Sequence, residues 1–409
     1  MSGHSESTTH WAILQRSWAG IALVLFAVTY KVWLPPNQFP AVPLLDVFGS
    51  SAAQATWIHY LLLTVCSLAL LGTTIKPAST TWFIVIVSLL AMFLLNQHRL
   101  QPWAFHLLLG AFVFAACSIR QGTSLLRLLT ISIYTFSAAG KFDYQFMETV
   151  GQEFLVAATG LINLDSTQWA PSLSSKATLL FPLAEILVAV LLIRPRSRKA
   201  GIALAILLHL SIITLLSPLG LGHKPGVIIW NGLFVVLVPL LFSDKLNSTQ
   251  PAETTFSGQL AAILVLAASL LPAVEPLGKY DHWLAWGLYS PRTSRVLINV
   301  HLYDVGVVEE LEAFMLPQLG DTPYRTLDLR KWSLATLNVP VYPQDRFQLA
   351  AARYIAHKYK LGDSIQVHML SISDRFTGHR TAEILNGTSE LDMHCRQFFF
   401  STTPVGLQP

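Results

Sequence analysis

The chain has few charged residues for its length. Asp, Glu, Lys and Arg make up 12% of its 409 residues, about half of the roughly 25% that is usual in soluble globular proteins. Hydrophobic residues make up 53% of the chain. So few charges cannot cover a surface of this size against water, which argues against an ordinary soluble protein and predicts an integral membrane protein.

Cysteine is also scarce. Cys66, Cys117 and Cys395 lie far apart and form no CxxC pair, which argues against a dithiol centre and a zinc knuckle. The histidines and acidic residues of the C-terminal part show no metal-ligand spacing, so we expect no metal. No P-loop, GxGxxG or long basic run is present, so we expect no nucleic-acid partner.

The charges are spread unevenly along the chain. Residues 1–275 hold 24 of them and the shorter stretch 276–409 holds 26. We therefore predict a cytoplasmic tail over residues 1–16, a transmembrane bundle over 17–275 and a water-soluble domain over 276–409.

The first 275 residues contain long apolar runs. A membrane-spanning helix needs about 20 mostly apolar residues, and several of the runs come close to that length. We predict an all-α polytopic bundle of eight or nine transmembrane helices, near residues 17–34, 57–75, 80–96, 103–119, 125–141, 177–194, 200–217, 226–242 and 257–275.

Basic residues in the short loops predict the orientation. Residues 194–199 carry three Arg and one Lys, and such loops face the cytoplasm. Counting outward from this loop gives a cytoplasmic N-terminus and an extracytoplasmic C-terminal domain, as in a multi-pass protein of a bacterial inner or cell membrane.

The remaining segments predict further elements. Residues 143–176 have apolar residues at helical spacing with acidic residues between them, which favours an interfacial or re-entrant helix. In the C-terminal part we expect a small α+β domain, with a helix over 344–359 and strands over 295–303, 364–373, 379–385 and 393–401.

Lys141 and Asp143 are the first candidate site residues. They follow a predicted span that ends in the small-residue run 137–140. An ionisable group at membrane depth is costly, so it indicates function. A lysine in a partly apolar pocket can act as a base, whereas a lysine reaching toward the headgroups is the structural alternative.

Glu185 and His209 lie inside predicted spans. Glu185 should face the bundle and find a polar partner, as a structural ion pair or as a catalytic carboxylate. His209 can transfer protons near neutral pH, or it can be a hydrogen-bonded core histidine.

The loop Gly220–Pro225 is the last candidate region. Its glycines permit close approach of a ligand, and a simple turn is the alternative. We assign His223 in this loop, together with Trp230 and Asn231 in the following span, to cofactor binding.

The segment from Tyr134 to Asp143 resembles the segment around the catalytic lysine of vitamin K-dependent gamma-carboxylase. There, an aromatic-rich span ends in small residues, followed by a Lys two positions before an Asp. His209 resembles the membrane histidine of those enzymes. The wider group is the horizontally transferred transmembrane domain family, which overlaps in pattern with the DoxX and MauE membrane proteins. The resemblance covers roughly residues 15–245.

Two functions follow as hypotheses. The resemblance implies a membrane enzyme that takes a quinone or another lipid at the outer face, with Lys141 as base and Asp143 orienting it. His209 and Glu185 would relay protons or bind a polar head group. The alternative is a non-catalytic envelope scaffold or lipid-binding protein, with membrane lipids as partners and envelope proteins bound through the C-terminal domain. Convergence of Lys141, Glu185 and His209 on one pocket would favour the enzyme.

The connection between the two predicted parts is short and contains prolines. It predicts that the C-terminal domain sits on the bundle near Lys141, with residues 339–346 as its contact segment. The alternative is a tethered domain that makes no contact beyond the linker.

Overall fold

The computed structural model describes residues 2–35, 38–49, 55–246, 255–318 and 320–407. The fold is mostly helical, with a small antiparallel sheet near the C-terminus, and this confirms the predicted combination of a helical part and a C-terminal α+β part. The helices of the N-terminal two thirds are α1 Ser2–Val28, α2 Tyr30–Trp33, α3 Thr56–Ile75, α4 Ser79–Leu95, α5 Pro102–Ala116, α6 Ile119–Ala139, α7 Tyr144–Glu148, α8 Val150–Gly160, α9 Pro171–Thr178, α10 Leu180–Ile193, α11 Arg198–Leu216, α12 Pro225–Leu241 and α13 Phe256–Leu270.

Within the described ranges, five helical segments are long and apolar enough to cross a membrane, which makes a membrane location plausible. They are Glu6–Val28, Thr56–Ile75, Pro171–Ile193, Arg198–Leu216 and Phe256–Leu277. Three further predicted spans are shorter apolar helices, α4, α5 and α12. Helix α6 covers residues 125–139 of the span predicted at 125–141. The count of eight or nine spans therefore stays a prediction.

The chain divides into two compact units. The first unit comprises residues 1–28, 65–88 and 102–292, and the second comprises residues 29–64, 89–101 and 293–409. The C-terminal region thus forms a unit together with two earlier segments of the chain. The boundary predicted at residue 275 separates a membrane-embedded part from a water-soluble part. The division into compact units does not test that prediction.

The second unit is built on a four-stranded antiparallel sheet in the order β2-β1-β3-β4. Its strands are β1 Arg295–His301, β2 Tyr324–Leu327, β3 Ile365–Leu370 and β4 Ala382–Asn386, and its later helices are α14 Val305–Leu311, α15 Leu329–Leu337, α16 Asp345–Lys358 and α17 Gly387–Cys395. Val296, Ile298 and Val300 are buried on β1, and α16 packs against β1 and β3.

The second unit shows two differences from the predicted elements. The strand expected over 393–401 is wrong, because α17 continues to Cys395 and no strand follows it. Leu391 and Cys395 are buried and are four residues apart, which is helical spacing. The aromatic run at 398–400 favoured a strand instead and hid this helical pattern. The strand β2 escaped prediction because it is only four residues long.

Residues 339–346 contact the segment between α4 and α5 within the second unit. The carbonyl of Pro340 lies 2.9 Å from Nε2 of His98. Arg346 Nε donates to Oε1 of Gln97 at 2.7 Å, and the Gln97 amide donates to the carbonyl of Ser401 at 2.7 Å. This buried hydrogen-bond network joins the C-terminal region to an early part of the chain.

In the first unit, α6, α10, α11 and α12 pack side by side. The close approach of α10 and α11 depends on Gly201, because a Cβ there would lie 3.0 Å from the backbone nitrogen of Leu192. This approach sets how the side chains of the two helices face α6 and α12.

We predict that Gly201→Val destabilises the protein by about 1–3 kcal/mol, the usual cost of overpacking. The matched control is Gly232→Val on α12, where an added Cβ meets no atom within 4 Å. Both changes carry the same cost in helix propensity. The difference in stability between the two variants therefore measures the cost of overpacking at Gly201. Thermal unfolding in detergent measures it, and equal losses for the two variants would contradict the prediction.

Candidate functional site

A cavity of about 470 Å³ lies in the first unit, a size within the range of roughly 300–1,000 Å³ that is usual for small-molecule sites. Its walls are mostly apolar. Lys141, Glu185, His209, Trp230 and Asn231 line it. The structure therefore brings together five of the seven residues that the sequence singled out.

Helix α6 supplies one polar face of the cavity. Tyr134 and Ser137 lie on α6, and Lys141 follows directly after its C-cap residue Gly140. The spacings of three and four residues place these three side chains on one side of the helix. Tyr134 and Ser137 were missed as site residues, although their spacing from Lys141 was a usable signal.

Lys141 is buried and fully engaged. Its ammonium donates to the two carboxylate oxygens of Glu185 at 2.9 and 3.0 Å. It also donates to the Ser137 hydroxyl at 2.7 Å and approaches the Ser137 carbonyl at 3.1 Å. Four acceptor atoms around one nitrogen suit the protonated form, which has three protons to donate. The polar partner expected for Glu185 is thus Lys141.

The ion pair lies in mostly apolar surroundings. Lys141 is 3% exposed and Glu185 is 8% exposed. A buried pair is held by its own hydrogen bonds, and the removal of one partner leaves an uncompensated charge. Lys141 and Glu185 therefore depend on each other for their place in the fold.

A second polar group consists of Tyr134, His209 and Asn231. The Asn231 amide nitrogen donates to the carbonyl of Val227 at 2.8 Å, so its oxygen faces His209 Nδ1 at 2.8 Å. Nδ1 therefore carries the proton, and Nε2 accepts from the Tyr134 hydroxyl at 2.6 Å. The partner of one ring nitrogen fixes the role of the other.

Aromatic rings hold His209 in this orientation. Phe234 stacks on the His209 ring with centroids 4.8 Å apart. Phe234 also stacks on His106, with centroids 5.5 Å apart. The Trp230 indole donates to His106 at 3.4 Å, so Trp230 is fixed in the cavity wall.

Two predicted site residues are not among those that line the cavity. Asp143 is buried and starts α7 by accepting from the Phe146 N–H at 3.2 Å, and its carboxylate lies 3.9 Å from Arg292. The geometry favours Glu185 over Asp143 as the group that orients Lys141.

His223 lies 3.0 Å from the hydroxyl of Tyr289, and Tyr289 lines the cavity. No sequence signal indicated Tyr289.

Over the described part of the chain, no group of three His, Cys, Asp or Glu residues is placed to hold a metal ion.

Comparison of the chain with models of known protein families gave no match. Comparison with curated proteins and with solved structures gave none either. The site therefore has to be interpreted from its own geometry.

We predict strong coupling between Lys141 and Glu185. Each single change, Lys141→Met or Glu185→Leu, leaves one buried charge without its partner and should cost about 3–5 kcal/mol. The double variant removes both charges and should cost less than the sum of the two. The free energy of unfolding in mixed detergent micelles measures these costs.

The exposed pair between Lys245 and Glu6 serves as the control. Its charged atoms are 3.2 Å apart, and the coupling between Lys245→Met and Glu6→Leu should be about 0–1 kcal/mol. Additive effects at Lys141 and Glu185 would contradict the interpretation of a mutually dependent pair.

Proposed function

We propose that this chain is a membrane protein whose cavity binds a quinone or another lipid and carries out proton-transfer chemistry on its head group. The observation that supports this most is the convergence of an ion pair and a hydrogen-bonded Tyr–His–Asn chain on one largely apolar cavity. An apolar cavity with a few convergent polar groups is the usual form of a ligand site.

The mouth of the cavity supports a lipid ligand. Leu161, Ile162 and Leu210 line the cavity and are also exposed, by 40%, 71% and 48% respectively. Leu210 lies on a helix that is long and apolar enough to cross a membrane. An opening bordered by apolar side chains suits a ligand that enters from a bilayer and leaves its apolar tail there.

Proton transfer would begin at Lys141. The ammonium can pass a proton to the Glu185 carboxylate that it contacts, and the resulting neutral amine and carboxylic acid suit an apolar environment. The neutral amine can then take a proton from the ligand, as a general base. In this mechanism Glu185 stores the proton that Lys141 has to lose.

The Tyr134–His209–Asn231 chain offers a second route. The Tyr134 hydroxyl can accept a proton from the ligand as it gives its own proton to His209 Nε2. His209 then carries two protons, and Asn231 Oδ1 keeps its bond to Nδ1. This chain fits a relay, because each donor already faces its acceptor.

The resemblance to the gamma-carboxylase and to DoxX and MauE membrane proteins agrees with this proposal. It rests on the segment from Tyr134 to Asp143 and on His209, and four of these residues, Tyr134, Ser137, Lys141 and His209, line the cavity. Membership of that family is part of the proposal.

A second candidate function is lipid binding without chemistry, with the protein serving as an envelope scaffold. It is favoured by the way in which Lys141 and Glu185 satisfy each other, as polar residues do when they only join helices. Envelope proteins would then bind through the C-terminal region.

The occupancy of the cavity can be tested by a filling substitution. We predict that Leu208→Trp, on the cavity wall, lowers the lipid or quinone that copurifies with the protein by about tenfold, because a large side chain takes the ligand's volume. Mass spectrometry of gently purified protein measures this. Leu207→Trp is the control, because Leu207 is 61% exposed and is not among the lining residues. Equal retention by both variants would count against the binding site.

We also propose a cytoplasmic N-terminus and an extracytoplasmic C-terminal region, on the basis of the basic loop at 194–199. The prediction is that single cysteines in place of Arg196 and Ser389, in a variant without native cysteines, are labelled from opposite sides of the cell membrane. An impermeant maleimide on intact and opened cells measures this. Labelling of both positions from the same side would refute the orientation.

A further inference from the structure

The segment that follows α13 contains two unusual backbone positions. Trp286 has φ +61° and Tyr289 has φ +57°, in the left-handed region that bulky side chains rarely adopt. Such conformations persist only where the surrounding structure holds them, and they concentrate at functional sites. Leu288 and Tyr289 line the cavity, so this strained segment forms part of its wall.

Both sides of the segment are anchored. Trp286 is fully buried, and its indole donates to the carbonyl of Ala268 at 3.3 Å. The Ser290 hydroxyl donates to the carbonyl of Gly140 at 2.7 Å, next to Lys141. Gly140 permits this approach, because an added Cβ would lie 3.2 Å from Cβ of Ser290. Tyr289 is held close to the polar end of the cavity by these two anchors.

The Tyr289 side chain joins the cavity wall to the loop Gly220–Pro225. Its ring packs edge-on against Phe154 of α8, with centroids 5.0 Å apart, and its hydroxyl meets Nδ1 of His223 at 3.0 Å. Loop residues on either side of His223, Gly222 and Lys224, are exposed. This hydrogen bond, the ring contacts with Phe154 and His223 and packing against the buried cluster of Phe154, Leu215 and Leu216 therefore hold Tyr289 beside this exposed loop.

The closing bond joins two neutral groups. Burial raises the pKa of Tyr289 well above its usual range. Burial also lowers the pKa of His223, against the opposing effect of Glu153 on α8. The bond between two neutral groups is worth less than one to a charged group, so it is a contact that can open.

We propose that Tyr289 is a gate between the polar end of the cavity and the exposed loop Gly220–Pro225, latched by His223. The gate rests on the proposed function of the cavity as a ligand site. The lipid enters between the exposed apolar residues Leu161, Ile162 and Leu210. A small water-soluble reactant or product, or water that carries a proton, passes Tyr289 to reach Lys141.

The test measures access of water-soluble reagent to the cavity. The parent is the full-length protein in phospholipid nanodiscs, with its three cysteines replaced and with Ile133→Cys, because Ile133 lines the cavity and is 3% exposed. A charged, membrane-impermeant methanethiosulfonate is the probe. Tyr289→Phe keeps the ring and removes the latch, and we expect modification to become about three- to tenfold faster, the factor for one lost hydrogen bond.

Further variants separate the contributions of the Tyr289 ring, its hydroxyl group and His223. Tyr289→Ala should be faster than Tyr289→Phe, because it removes the ring as well. His223→Phe should match Tyr289→Phe and add nothing to it in the double variant. Tyr280→Phe is the control in the same connecting segment, because Tyr280 does not line the cavity, and its rate should equal that of the parent.

Parent-like rates in both Tyr289 variants would overturn the gate. Lipid that copurifies with the parent is measured in the same preparation. Its absence would remove the proposed ligand function, while the modification rates would still decide whether Tyr289 controls access.

Discussion

The ion pair between Lys141 and Glu185 is the constraint on which the arrangement of the cavity depends. It joins the end of α6 to α10 across a distance of 2.9 Å. Two charges that are taken out of water need each other and need further hydrogen bonds. The Ser137 hydroxyl supplies one of these bonds. The end of α6 and helix α10 must therefore pack in one register, while the Tyr134 hydroxyl on α6 reaches His209 on the next helix, α11.

The cavity combines two properties that rarely occur together by accident. Its walls are apolar enough to receive a lipid tail, and its polar groups are already oriented by other polar groups. Asn231 determines which nitrogen of His209 carries the proton, and Glu185 determines where the ammonium of Lys141 points. Such preorganisation lowers the cost of rearrangement when charge moves. This explains why we favour chemistry in the cavity over simple helix joining.

The second unit is held together by a core between sheet and helix and by buried hydrogen bonds. Its sheet buries one apolar face against α16. A buried hydrogen-bond network also joins the segment around Gln97 and His98 to the C-terminal region of this unit. An amide or imidazole in the interior must find partners, and here residues almost 250 positions apart supply them. Such a pairing carries no local sequence signal.

The sequence by itself determined the helical class, the C-terminal α+β region and five residues of the candidate site, because long apolar runs and rare polar residues within them are local patterns. Lys141, Glu185 and His209 stood out for this reason. Only the tertiary structure decided their partners. It paired Lys141 with Glu185, assigned Asp143 to the start of α7, and placed Tyr289 on the cavity wall. Side chains that are distant in sequence meet only when the helices pack, since partner choice depends on distance and burial in three dimensions.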